Sequence, residues 1–288
     1  MQDEELAETT PIVIDFNVSD RVRSIKRLVQ LLAQIADLPP GTSLEINLRK
    51  CQYLGPDAAA VLAAVIHDAR SNGVMTRILS PLGPPELCAF FHRSGLGELA
   101  GVHDSLHVES NEATRPVLAI TQVRRASFND ADPVIELVAK HGSLDPEAEE
   151  YLRICINEVV QNVQDHAKSP VGAMMTARFL TKANEVRVAI VDRGLGMCST
   201  LRNRYPDTTP ENVMQRVLEG EYSARSRENN MGLGLSNLAS IIKRLEGELF
   251  MLSENSMAEL RKGDERSFSM VSPGFHGTGV FFTITVGA

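Results

Sequence analysis

The chain has 288 residues, 43% of them hydrophobic and 23% charged, with a formal charge of −8 at pH 7 and a pI near 5.5. This leads us to expect roughly two domains with real cores. It sets aside wholesale disorder, and it argues against a general grip on nucleic acid or anionic membranes. No apolar run approaches the ~18 residues that cross a bilayer, the acidic start MQDEELAE is no secretory signal, and Cys51, Cys88, Cys155 and Cys198 form no CxxC pair, so a cytoplasmic protein with reduced, buried cysteines and no zinc site is expected.

In chain order, residues 11–17 alternate as a strand. Ser19 can cap a helix striped by Val22, Ile25, Leu28, Leu32 and Ile35, which ends at Pro39-Pro40-Gly41. Leu44, Ile46 and Leu48 predict a second strand. Gly55-Pro56-Asp57 opens an alanine-rich helix with Val61, Leu62, Val65 and Ile66 inside, stopping at Gly73. A third strand covers 74–79, a helix from Pro84-Pro85 runs through Phe90 and Phe91, and SGLGELAG closes the unit. Strands alternating with helices predict an α/β layer domain. The polar stretch 102–115 is the expected linker. His103 and His107 in it read as solvent-facing.

Beyond the linker, 117–123 reads as a strand and 130–140 as a helix. Residues 145–167, DPEAEEYLRICINEVVQNVQDHA, read as a longer helix with Asp145 as cap and Pro146 in its first turn. Leu152, Ile156, Val159 and Val163 make its buried stripe, and Glu158, Asn162 and His166 follow one another at intervals of four on a neighbouring face. An amide oxygen can ligate Mg²⁺ and a carboxylate one turn away can polarise a hydroxyl. A polar flank of a half-buried helix gives the same spacing.

Residues 173–180 and 185–192 read as an antiparallel pair running into Asp192-Arg193-Gly194-Leu195-Gly196. The carboxylate can accept from an exocyclic amine while glycines leave room for a flat ring; D-x-G-x-G is equally a common turn. Residues 197–231 form a long connection, of the kind that makes lids, with one short helix capped by Thr209. Arg225 and Arg227 in it can meet phosphates or keep the loop soluble. Met231-Gly232-Leu233-Gly234-Leu235 then leads into a helix carrying Leu238, Ile241, Ile242 and Leu245, so the glycines can cradle an anion at its start. Strands at 248–252, 267–271 and 279–286 end the chain, the last entered through Gly277-Thr278.

Two resemblances rest on these residues. LEINLRKCQYLGPDAAAVLAAVIHDARSNG and CAFFHRSGLGELAG make residues 11–101 resemble a STAS domain, the fold of anti-sigma-factor antagonists. Gly55-Pro56-Asp57-Ala58 stands where phosphorylatable members carry a serine, so Asp57 is either an ordinary cap or an imitation of phosphoserine. Residues 116–288 resemble the Bergerat-fold (GHKL) ATPases, the superfamily of gyrase, histidine kinases, MutL and anti-sigma-factor serine kinases. The helix at 156–167 matches the N box, DRGLGM the first glycine box, MGLGLSN the second and HGTGVFFTITV the closing strand.

The resemblance implies an α/β protein in which a STAS-like domain precedes a Bergerat sandwich, a mixed sheet with helices on one face. It implies ATP with Mg²⁺ ligated by Asn162, Glu158 as general base, and Asp192 on the adenine amine. Gly194, Gly196 and Met197 would lie at the base, and Gly232, Leu233, Gly234 and Leu235 at the phosphates. Thr278 would support Asp192, and His166 would either touch phosphate or be structural. Gyrase-like and MutL-like readings, which need a following transducer domain, are not expected. The expected function is a cytoplasmic partner-switching protein kinase. A nucleotide-gated switch or slow ATPase without transfer is the alternative, and autophosphorylation at a histidine such as His67 is the third. Expected partners are a sigma factor, an antagonist or another STAS protein, or a second copy in a homodimer.

Overall fold

The computed structural model of the chain describes residues 11–16, 28–29, 38–101, 116–222, 235–263 and 265–287. The fold is mixed α/β with two sheets. Strands β1 (Ile12–Asp15), β2 (Ser43–Asn47) and β3 (Met75–Leu79) form a parallel sheet in that order. Ile14, Leu44, Ile46 and Ile78 all point to its buried face, as the period of two requires. Helix α1 (Pro56–Ser71) joins β2 to β3, and α2 (Pro85–Arg93) and the short α3 (Leu96–Leu99) follow. The predicted helix opened by Ser19 lies outside the described residues except for Leu28 and Val29, which are helical and buried.

Asp57 does not cap α1. The N-cap is Gly55, because Pro56 already occupies the first turn, and the Asp57 carboxylate is buried and accepts from Ala58 N at 2.8 Å.

The second sheet holds β4 (Val117–Val123), β5 (Ala173–Leu180), β6 (Glu185–Asp192), β7 (Glu248–Arg261) and β8 (Glu265–Thr285), in the order β4-β5-β6-β8-β7. Every neighbouring pair is antiparallel, which corrects the expectation of a mixed sheet. The β5–β6 pair is the predicted one, with Leu180 opposite Glu185 and Asn184 at φ 48 in its turn.

The strands expected at 267–271 and 279–286 are one continuous strand, and β7 runs past its expected end. Bulges at Ser253/Glu254 and Glu254/Ser256 reset the alternation and hide the second half of the hairpin from a period-two reading. Its tip residue Lys262 lies 3.3 Å from Glu185 Oε1, at the end of β6 far from Asp192. The arm therefore bends back along the sheet.

Helices α4 (Asp132–His141), α5 (Pro146–Asn162), α6 (Met197–Leu201), α7 (Val213–Leu218) and α8 (Leu235–Arg244) share a core with one sheet face, through Val186, Val188, Ile190, Phe179, Phe282 and Ile284. The stretch after β6 thus holds two short helices among its described residues where one was expected, and Asn212 rather than Thr209 stands at the start of α7. Met174, Ala189, Val191 and Phe281 leave the other sheet face and join the core of the N-terminal sheet.

Helix α1 is the layer between the two sheets. Ala58, Ala59, Ala60, Ala63 and Ala64 are fully buried together with Val61, Leu62 and Ile66. A helix apolar on all sides is buried on all sides, and alanine lets a sheet approach closely on each. The two expected domains therefore share one continuous core, with the linker at 102–115 outside the described residues. Among the described residues no helix is long and apolar enough to cross a membrane. The four cysteines are free, and burial pushes the Cys155 and Cys198 thiols up, away from the thiolate form.

Candidate functional site

Helix α5 forms as its sequence suggests. Asp145 Oδ1 accepts from Ala148 N at 2.8 Å, with Pro146, Glu147 and Glu149 in the first turn. Leu152, Cys155, Ile156, Val159 and Val160 are buried, and Glu158 and Asn162 lie half-buried beside that stripe. The α-helix ends at Asn162, not at Ala167. Val163–Ala167, which carries His166, is a wider π turn closed by Lys168 at φ 51. Such turns recur where a helix is bent to serve a site.

The π turn delivers the helix end to the D-x-G-x-G segment. Leu195 N donates to Ala167 O at 2.7 Å, and Arg193 N donates to Ser169 Oγ at 3.2 Å. Gly194 is required by this approach, since a Cβ there would lie 2.0 Å from Ala167 O. Gly196, at φ +83, would place a Cβ 2.5 Å from Glu254 Cγ. Glu254 in turn accepts from Ser199 N at 3.1 Å and Ser199 Oγ at 2.6 Å, fixing the first turn of α6. Both glycines thus admit neighbouring parts of the protein.

Asp192 ends β6 and is 2% exposed. Its Oδ1 accepts from Gly194 N at 2.7 Å, and the Thr278 backbone amide also donates to the carboxylate. Burial pushes this carboxyl up to about 7, against the pull of those two amides and of the Arg193 guanidinium. The Thr278 hydroxyl lies 3.0 Å from Ser253 Oγ, which donates to Gly277 O at 3.0 Å and accepts from Met197 N at 2.8 Å. The contact of Thr278 with Asp192 therefore runs through its backbone, while its hydroxyl faces Ser253.

The structure brings the end of α5, Asp192 to Met197, and Gly277-Thr278 into one hydrogen-bonded assembly. Leu235 opens α8, whose residues share the core of α5. Gly232, Leu233, Gly234, Arg225 and Arg227 lie outside the described residues. Asn162 Nδ2 is buried without a hydrogen-bond partner among the described residues, a donor of the kind a bound polar group satisfies. Among the described residues no cluster of three or more His, Cys, Asp or Glu side chains is set to hold a metal. A Mg²⁺ here would take Asn162 and phosphate oxygens, in keeping with its habit of few protein ligands.

Sequence reasoning missed Ser253, Glu254 and Ser169, which carry no pattern of their own. It also passed over Arg193, although a charged residue inside a turn expected to meet a flat ring is a signal. His67 sits half-buried on α1, and burial, Arg70 and Arg124 lower its pKa. That helix leads into β3, not into a second helix of a dimerising hairpin. No protein-family model matches this chain, and no curated protein matches it.

Proposed function

We propose that the chain is an ATP- and Mg²⁺-binding signalling protein of Bergerat type with a STAS-like N-terminal unit, acting as a kinase in partner switching. The observation that carries the reading is the Asp192 carboxylate, held at a strand end by Gly194 N and the Thr278 amide and hydrogen-bonded through its own loop to the end of the helix bearing Glu158 and Asn162. In this reading Asp192 accepts from the adenine amine, Asn162 holds Mg²⁺ with the phosphates, and Glu158 takes the proton of the acceptor hydroxyl. Gly232, Leu233, Gly234 and Leu235 serve the phosphates in this reading. The partner is a protein of the sigma-factor, antagonist or STAS class.

The test is titration with ATP and Mg²⁺. Loss of the carboxylate contact in Asp192→Asn is expected to weaken binding by about 1.5–3 kcal/mol, and equal affinity for both proteins removes the reading. With labelled ATP and a STAS partner, Glu158→Gln is expected to keep binding and lose transfer.

A second reading, a nucleotide-gated binding switch without transfer, is favoured by the core shared between the site's sheet and the N-terminal unit. ATP binding with no label on any partner would select it.

A further inference from the structure

We propose that Arg193 and Asp68 form a positioning pair through which the N-terminal unit holds the Asp192 carboxylate in place. Asp192 and Arg193 are consecutive, and their side chains serve opposite sides of the sheet. Asp192 lies on the helical side. The Arg193 side chain enters the core between the sheets and is 6% exposed.

There its Nε donates to Asp68 Oδ2 of α1 at 3.0 Å, its Nη1 donates to His276 O at 2.7 Å, and its guanidinium lies 5.2 Å from the centre of the Phe275 ring. The segment it grips, Phe275 to Thr278, supplies the second amide donor to Asp192. Gly277 within that segment approaches the Asp192 carbonyl so closely that a Cβ would stand 2.1 Å away. One guanidinium therefore ties together α1, the middle of β8 and the loop that carries the carboxylate.

A buried cation is stable only while its partners stay. Removing Asp68 takes away the only carboxylate that is hydrogen-bonded to Arg193 among the described residues and leaves the His276 carbonyl, the ring and the more distant pull of the Asp192 carboxyl, in a site too dry to solvate the cation. The side chain then pulls toward water, and the loop and the Thr278 amide move with it. A displacement of α1, produced by whatever binds the N-terminal unit, acts on Asp192 by the same route. Both residues are positioning residues, because neither faces the side on which a ligand would lie.

The consequence for ligand binding rests on the ATP reading; the consequence for backbone order does not. The experiment uses the full chain, compares wild type, Asp68→Ala, Asp68→Glu and Arg187→Gln, and measures amide hydrogen exchange over 192–197 and 275–279 without nucleotide, then affinity for ATP with Mg²⁺. In Asp68→Ala exchange in these two segments is expected to accelerate by about tenfold or more, with α4 and β5 unchanged. Asp68→Glu is expected to recover part of the protection. Arg187→Gln, a change in the same inter-sheet layer, should leave both segments as in wild type. The dissociation constant for ATP is expected to rise about tenfold in Asp68→Ala.

Unchanged exchange in the two segments overturns the pair, as does acceleration spread evenly over the whole protein. If wild type binds ATP and Asp68→Ala binds it equally well, the pair does not position the carboxylate. If wild type does not bind ATP, the function proposed above fails, and the exchange result still decides on the pair. Should Asp68→Ala fail to fold, Asp68→Asn, which keeps the shape and loses the charge, is measured in its place against the same outcomes.

Discussion

Val186, Val188 and Ile190 leave β6 in one direction, and Arg187, Ala189 and Val191 leave it in the other. The first set packs against helices α4 to α8, and the candidate site lies at the end of that layer. The second set packs against α1, a helix with a second sheet behind it. One face therefore carries the candidate site and the other is a mounting. The mounting is alanine-rich and close, and long side chains cross it: Arg178 over the Phe90 ring, Arg187 at Tyr53 and Arg193 at Asp68. A strand whose two faces are both buried can transmit a shift on one to the other, because packed layers do not deform continuously.

The sharpest test of the site face is Gly194→Ala. The added methyl meets the Ala167 carbonyl, a backbone atom fixed by its bond from Leu195 N. The end of α5 and the D-x-G-x-G turn cannot both stay in place, and a loss of more than about 4 kcal/mol is expected from calorimetry. A change under about 1 kcal/mol would mean that the turn is free of the helix.

Next in size is the charge state of Asp192. Its carboxyl is raised from the ordinary 3.8 to about 7 by burial, so the native protein holds a proton there that the unfolded chain has released. The contribution of this group to stability is then full below about pH 4 and is lost as pH rises to about 7, by on the order of 4 kcal/mol. Asp192→Asn is expected to flatten this slope. Melting temperatures of both proteins at about pH 4.5 and about pH 7.5 measure it, and parallel profiles would show that the carboxyl is not desolvated.

On the mounting face, Leu62→Ala empties a fully packed position of α1 and is expected to cost about 2–5 kcal/mol. The distinctive outcome is cooperativity. A shared core should lower a single transition, whereas two transitions, of which only one moves, would separate the N-terminal unit from the sheet.

The difference between the faces also explains what could be read from residues alone. Elements with an unbroken period were legible: β4, β5 and β6 stand where alternation put them, and α1, α5 and α8 bury the stripes their spacing predicts, although Gly55 and not Asp57 caps α1 and α5 gives way to a π turn after Asn162. The far half of the β7–β8 hairpin was not, because two bulges near Glu254 reverse its parity. The candidate site was legible to the extent that Asp192, Gly194 and Thr278 do meet. The reason Gly194 must be glycine was not, because it depends on a carbonyl 27 positions earlier in the chain (194 − 167 = 27). The packing of α1 between two sheets was present in its alanines, but an alanine-rich helix names no partner.

The smallest expected effect separates Arg187 from Arg193, two arginines of one layer. Arg187 Nη1 donates to Tyr53 Oη at 3.3 Å, its Nη2 lies 3.7 Å from Glu185 Oε2, and its Nε is buried without a hydrogen-bond partner among the described residues. Both contacts are long, and an unmatched buried donor carries a desolvation penalty that offsets them. Arg187→Met keeps the aliphatic length that packs in the layer and removes that penalty. Stability is therefore expected to change by less than about 1 kcal/mol in either direction, with ATP affinity as in wild type. Urea denaturation and nucleotide titration on the one variant check both halves. A large loss of affinity would place the coupling in the whole layer and not in the ion pair that adjoins Asp192.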